Sequence, residues 1–243
     1  MRLFNARHLA DLPSPGNQTI PDVVHEFAAG GNVTLSWRNI RGGLTFQFAD
    51  RFIKWNPRST GIDLDHERQR LEWIAPRHRA PRVVEFGQDD ASQWLITIAL
   101  PGAGAVGDHW RARSRDAIRA IAKGLQAIHS VAIDEFPPEW AAQGWVAQRP
   151  ESLGTPPLVD KTVLVHGDAC APNTLINDVG EWVGHVDFGD LTVGDRWADL
   201  AIASMSLDRN FGEGHQHELF EAYGIEPDQE RIRYYRGLYR LAS

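Results

Sequence analysis

Residues 163–201 read VLVHGDACAPNTLINDVGEWVGHVDFGDLTVGDRWADLA. Two short apolar runs, Thr162–Val165 and Trp182–Val186, are too brief for helices and read as strands. Each is followed by polar residues and a glycine: His166-Gly167-Asp168 after the first, Asp187-Phe188-Gly189 after the second. Asn173 stands five residues beyond Asp168. Two strand-end loops can bring Asp168, Asn173 and Asp187 together, which one helix face could not. Phosphoryl transfer needs such a set: a carboxylate to orient or deprotonate the attacking hydroxyl, and hard oxygen ligands to hold Mg2+ against the phosphates. The spacing predicts Asp168 as the base and Asn173 and Asp187 as metal ligands.

Upstream, the apolar period is that of a strand. Val33, Leu35 and Trp37 alternate with polar residues, as do Leu44, Phe46 and Phe48, with Arg41-Gly42-Gly43 as the turn between them and Phe52–Trp55 as a third short strand. Residues 21–29 predict a short helix and 63–75 a longer one, the latter with acids in its first turn and Pro76 beyond its end. Val83–Phe86 and Trp94–Leu100 flank a polar turn and predict a hairpin. Pro101–Gly107 is the expected boundary between two lobes, 1–100 and 101–243. Beyond it, Ile118, Ile121, Leu125 and Ile128 share a helix face, 136–157 reads as a Pro-rich loop, and helices follow the two strands to the end. The expected class is α+β, a small β-rich lobe ahead of a larger helical one.

Composition sets the exclusions. The 243 residues carry a net charge of -7 and one cysteine, which rules out an internal disulfide framework and fits a reducing cytoplasm. The opening MRLFNARHLADLPSPG lacks the apolar core of a secretory leader, and the longest uncharged stretch, Trp94–Gly107, is too short to span a bilayer. From Asp187 to Glu230 there are eleven acidic side chains against Arg196 and Arg209, while Arg231, Arg233, Arg236 and Arg240 follow with no acid. That acidic stretch argues against a phosphate-tracking nucleic-acid surface and suits a cationic small molecule. Asp190, Asp208 and Glu213 are the candidate substrate contacts, through charge-assisted hydrogen bonds to ammonium or guanidinium groups. His166 reads as a buried histidine bonded to loop backbone, Asp195 as the cap of a helix at Arg196, Asp199 as a brace for the 166–168 loop, and Cys170 as a packed thiol.

The H-G-D-x4-N spacing with D-F-G after a strand resembles the catalytic and metal loops of protein kinases. With GDRWADLA at 194–201, it is closer to the aminoglycoside phosphotransferases, small-molecule kinases of the same two-lobed fold. The resemblance runs from about Val33 to the closing LFEAYGIEPDQERIRYY at 219–235. It implies Lys54 as the lysine that pairs the nucleotide phosphates, Glu67 as its helix partner, Gly42 and Gly43 as the turn over the nucleotide, and backbone groups of Ile98 and Leu100 at the purine edge. ATP and GTP fit alike, and monomer and dimer stay open. Two departures bear on the substrate. Asp190 stands where many members carry Arg, and the last helical turn holds Arg236, Tyr239 and Arg240 where many carry acids. The reversal weakens a polyamine such as kanamycin; the expected acceptor is an aminoglycoside, with a streptomycin type among the candidates. A kinase for another hydroxylated metabolite and a non-catalytic nucleotide-binding module are the alternatives.

Overall fold

The computed structural model describes residues 19–39 and 41–242. The opening segment read above for a leader lies outside them, as does the terminal Ser243. The chain divides into two compact units. One runs up to Ala75 and resumes at Pro81–Ala99; the other comprises Pro76–Ala80 and Leu100–Ser243.

The first unit begins with α1 (Asp22–Ala28) and continues through β1 (Thr34–Arg38), β2 (Leu44–Phe48) and β3 (Arg51–Pro57) into α2 (Leu64–Ile74), then β4 (Val83–Gln88) and β5 (Ser92–Ile98). The five strands form one antiparallel sheet in the order β1-β2-β3-β5-β4. The alternation read in the sequence is real: Leu44, Phe46 and Phe48 face inward and close a core with Val24, Ile53 and Ile96. Asp63 caps α2, its carboxylate accepting from the N–H groups of Asp65 and His66. Leu64, Leu71 and Ile74 are buried on one face of that helix.

The second unit contains β6 (Ala103–Gly104), α3 (Asp108–Ala112), α4 (Ser114–His129), α5 (Pro138–Gln143), β7 (Thr162–Val165), β8 (Thr174–Ile176), β9 (Trp182–His185), β10 (Thr192–Asp195), α6 (Trp197–Phe211), α7 (Gln216–Tyr223) and α8 (Gln229–Ala242). The strands form two small sheets, β10 with β7 and β6-β8-β9. Around them the buried faces of α4, α6, α7 and α8 make one core, in which Ile118, Ile121, Leu125, Leu200, Leu219 and Leu238 are at most 1% exposed. No helix among the described residues is long and apolar enough to cross a membrane.

Three details differ from the sequence reading. The glycine-rich stretch expected only to break structure also pairs, Ala103 with Ile176 and Gly104 with Leu175. Residues 136–157 hold α5 and two 3-10 turns rather than open loop. β8 and β10 are strands additional to the two expected, β8 lying between them and β10 after the second. Strands of three or four residues carry too little alternation to show a period, so only their partners reveal them.

Candidate active site

β7 leads into His166, Gly167 and Asp168, and β9 into Asp187, Phe188 and Gly189. The first loop is braced from below. Asp199, wholly buried in the first turn of α6, accepts hydrogen bonds from the backbone N–H of His166 (2.7 Å) and Gly167 (3.0 Å), with His129 Nε2 at 3.1 Å. Asp195 caps α6 in part, its Oδ1 accepting from Trp197 N–H at 3.2 Å. Gly167 has φ +83°, and a Cβ there would run into the carbonyl oxygen of Asp190, so this position demands glycine.

His166 is 1% exposed and bridges the two loops. Its Nδ1 accepts the Asp168 N–H at 3.2 Å, so the proton sits on Nε2, which donates to the Val186 carbonyl at 3.0 Å. Both ring nitrogens are spent on backbone, as expected of a structural histidine.

Asp168 is 7% exposed, and both carboxylate oxygens are engaged. Tyr239 Oη donates to Oδ1 at 2.7 Å, and Asn173 Nδ2 donates to Oδ2 at 3.0 Å and to the Asp168 carbonyl at 3.0 Å. With the Asn173 amide nitrogen turned to Asp168, its Oδ1 is the atom left for a cation. Val186 N–H donates to the Asn173 carbonyl at 3.0 Å, so the segments bearing Asn173 and Asp187 are bonded directly. Asp187 is exposed at φ +67°, a left-handed conformation uncommon outside glycine and concentrated at functional sites. One amide oxygen and one carboxylate suit Mg2+, whose shell phosphate and water complete. Among the described residues no three His, Cys, Asp or Glu side chains gather into a metal site of their own. Burial, reinforced by the charge of Asp168, pushes the Cys170 thiol well above its usual range, which makes it a packed group rather than a nucleophile.

In the sheet unit, Lys54 Nζ lies 2.6 Å from Glu67 Oε1, with the Glu67 side chain 8% exposed. Asp65 and Glu72, the neighbouring acids that could compete for the lysine, both bind Arg68. The Gly42–Gly43 turn is organised by Asn39, whose Oδ1 accepts from Arg41 N–H at 3.0 Å and Gly43 N–H at 2.8 Å. Ile98 spends its N–H on the Arg82 carbonyl at 2.9 Å, and Leu100 opens the long segment of the helical unit.

Asp190, Asp208 and Glu213 sit on three separate segments: after β9, within α6 and in the turn that follows α6. Asp190 is half-buried and Glu213 exposed. Asp208 accepts from Gln216 Nε2 at 2.7 Å and has Arg236 at 3.7 Å, so its charge is partly offset within the chain.

Sequence reasoning missed two side chains. Trp145, inside the segment read as loop, donates from Nε1 to the Gly167 carbonyl at 2.9 Å, and its ring meets that of Tyr239 edge-on at 5.4 Å. The spacing Ile232, Tyr235, Tyr239 marks an inward face of α8 and could have shown Tyr239 as buried, though not what it reaches.

Comparison with known proteins identifies relatives of the chain. Residues 142–235 match the model of the phosphotransferase enzyme family. Aminoglycoside 3'-phosphotransferase of Streptomyces fradiae is 30% identical over 74% of this chain and 80% of that protein. Streptomycin 3''-kinase of Streptomyces griseus is 29% identical over 93% of this chain and 97% of the kinase. Among solved structures, aminoglycoside phosphotransferase APH(3'')-Id from Streptomyces rimosus, in complex with ADP and streptomycin, superposes with a TM-score of 0.66 at 22% identity, covering 91% of this chain and 98% of that one. The kinase-like α+β fold is shared with these enzymes, and the chain belongs to the aminoglycoside phosphotransferase family.

Proposed function

We propose that the protein transfers the γ-phosphate of ATP to a hydroxyl of a streptomycin-type aminoglycoside. The observation that carries this reading is the Asp168 carboxylate, buried, fixed on both oxygens and bonded through Asn173 to the segment of Asp187. The ADP and streptomycin bound by the Streptomyces rimosus enzyme support the nucleotide and the acceptor class. In the division of labour, the unit ending at Ala99 is the nucleotide-binding part, and the unit from Leu100 carries catalysis and acceptor recognition.

Asp168 aligns the acceptor hydroxyl and takes its proton as the acceptor oxygen bonds to the γ-phosphorus and the bond from that phosphorus to the β,γ-bridging oxygen breaks, releasing ADP. Asn173 Oδ1 and the Asp187 carboxylate are the oxygens that hold Mg2+, which when bound offsets the charge of the phosphates. Lys54, kept in place by Glu67, neutralises the nucleotide phosphates from the sheet unit, and Gly42 and Gly43 allow a close approach of backbone to them. Backbone groups of Ile98 and Leu100 meet the purine. Asp190, Asp208 and Glu213 supply negative charge for a guanidinium or ammonium group. Most of the acceleration comes from positioning and charge neutralisation.

A second reading, phosphorylation of another hydroxylated metabolite, is favoured by Arg236. That cation lies beside Asp208, where a polyamine would need uncompensated acid.

The test is Mg-ATP turnover across streptomycin, hygromycin, kanamycin and gentamicin types together with amino alcohols and sugars, with Asp168→Asn as control. We expect saturable phosphorylation of a streptomycin-type acceptor. In Asp168→Asn turnover falls by roughly 10²–10⁴ while nucleotide affinity is retained. Mutant-sensitive turnover confined to a metabolic alcohol selects the second reading. Comparable loss of nucleotide affinity in Asp168→Asn removes Asp168 from the role of base.

A further inference from the structure

Tyr239 of the C-terminal helix α8 reaches the 166–168 loop. Tyr239 is 4% exposed, and its Oη–H donates to Asp168 Oδ1 at 2.7 Å, the shorter of the two side-chain bonds that the carboxylate accepts from Tyr239 and Asn173. The phenol cannot swing freely, because the ring lies edge-on to Trp145 at an interplanar angle of 73°. Trp145 is itself pinned, donating to the carbonyl of Gly167, the residue just before Asp168. The indole and the phenol therefore hold the loop at two adjacent residues, one through backbone and one through the carboxylate. Asn173 holds the other oxygen from the far side of the same turn. With donors on both oxygens, and the Cys170 thiol also bonded to the Asp168 side chain, the carboxylate has no free rotation about its Cβ–Cγ bond.

We propose that Tyr239 is a positioning residue of the reaction: its hydrogen bond to Oδ1 fixes the carboxylate plane of Asp168 in the orientation from which it meets the acceptor hydroxyl. The inference rests on the reading of Asp168 as the base. It assigns α8 a part in the chemical step that is separate from any contact of that helix with the acceptor. A hydrogen bond that orients a base acts chiefly once proton transfer is under way, so its loss reduces kcat and kcat/KM together and leaves KM nearly unchanged.

Tyr239→Phe removes one oxygen and keeps the ring against Trp145. Tyr235→Phe is its companion, because Tyr235 also donates a buried phenol hydrogen bond from α8 to a carboxylate, Asp195 Oδ2 at 3.3 Å, remote from Asp168 in the chain. Steady-state kinetics with Mg-ATP and the preferred acceptor, run beside thermal unfolding, separate the possibilities. We expect Tyr239→Phe to lower kcat about tenfold, with KM for nucleotide and acceptor within about twofold of the parent. Tyr235→Phe, with a comparable loss of thermal stability, keeps kcat within about twofold. If both variants lose kcat in proportion to their loss of stability, or if Tyr239→Phe leaves kcat unchanged, the inference is overturned. A rise in kcat/KM for the acceptor also overturns it, since the phenol would then be competing with the acceptor for Oδ1. The reading beneath fails separately: turnover retained in Asp168→Asn removes the base, whereas turnover lost there with Tyr239→Phe silent removes only the inference.

Discussion

In the sheet unit the lysine proposed to meet the nucleotide phosphates is held by its opposite: Lys54 against Glu67 at 2.6 Å. In the helical unit buried carboxylates are held mainly by uncharged donors. Asp168 takes a phenol, an amide and the Cys170 thiol, Asp199 two backbone N–H groups with the His129 imidazole at 3.1 Å, and Asp195 the N–H of Asp160 and Trp197 with the Tyr235 phenol, Arg231 standing off at 3.9 Å. The two arrangements serve different ends. An ion pair fixes a lysine that must offer charge to phosphate, and the pair tolerates partial exposure. A base must keep its negative charge available to a proton, so a cation bonded to it would blunt it, whereas neutral donors orient it without cancelling its charge. Two imidazoles of the helical unit, His78 and His185, follow the same rule. Burial holds His78 down to about 4 and, with neighbouring His166 and His78, holds His185 well below its ordinary value, so both stay neutral near pH 7.

The strongest way to break this comparison is to remove a brace on the uncharged-donor side. Asp199→Ala leaves the N–H groups of His166 and Gly167 buried without their acceptor, at about 1–3 kcal/mol each. We expect urea unfolding to show a loss of about 4 kcal/mol, together with loss of turnover; a loss under about 1 kcal/mol means the loop is held by other contacts.

Acid tests the next layer. An unfolded histidine titrates near 6.5 and folded His78 near 4, so between those values the unfolded chain binds the extra proton. The stability contributed by neutral His78 is therefore whole above pH 6.5 and is lost as pH falls toward 4, by about 3 kcal/mol in all. His185 adds in the same direction. Urea midpoints measured across pH 4–7 should decline through that window, and His78→Gln should flatten the decline; an unchanged slope in the variant places the effect elsewhere.

The smallest effect lies in the sheet unit. A double-mutant cycle of Lys54→Met and Glu67→Gln should give a coupling energy of about 1–2 kcal/mol, since the lysine is 28% exposed and water shares its charge. A coupling near zero would mean that the pair positions the lysine without stabilising the fold.

What could be read in advance follows from how each feature is encoded. The sheet unit was legible because its strands alternate over five to seven residues with one face buried, as at Leu44, Phe46 and Phe48. The meeting of Asp168, Asn173 and the segment of Asp187 was legible because short loops after strands fix their spacing. Asp199 was legible as a brace through its place in the 194–201 motif. Tyr239 and Trp145 were not, because their partners lie 71 and 22 residues away and only the packing of α8 and the 145–147 turn against the loop makes the contact. The acidic trio was read as charge alone, and charge does not say that Asp208 already faces Arg236.

Cys170 carries one further consequence. It is the single thiol of the chain, 1% exposed, two residues from Asp168, with the N–H of Ala171 beside it tied to Ser206 Oγ at 2.9 Å. A thiol-directed reagent can reach it only when this loop lifts from α6. The rate of labelling is thus a built-in stopwatch for excursions of the catalytic segment, and it needs no engineered probe. Substrates that lengthen the interval between openings can be ranked by mass spectrometry of the intact protein.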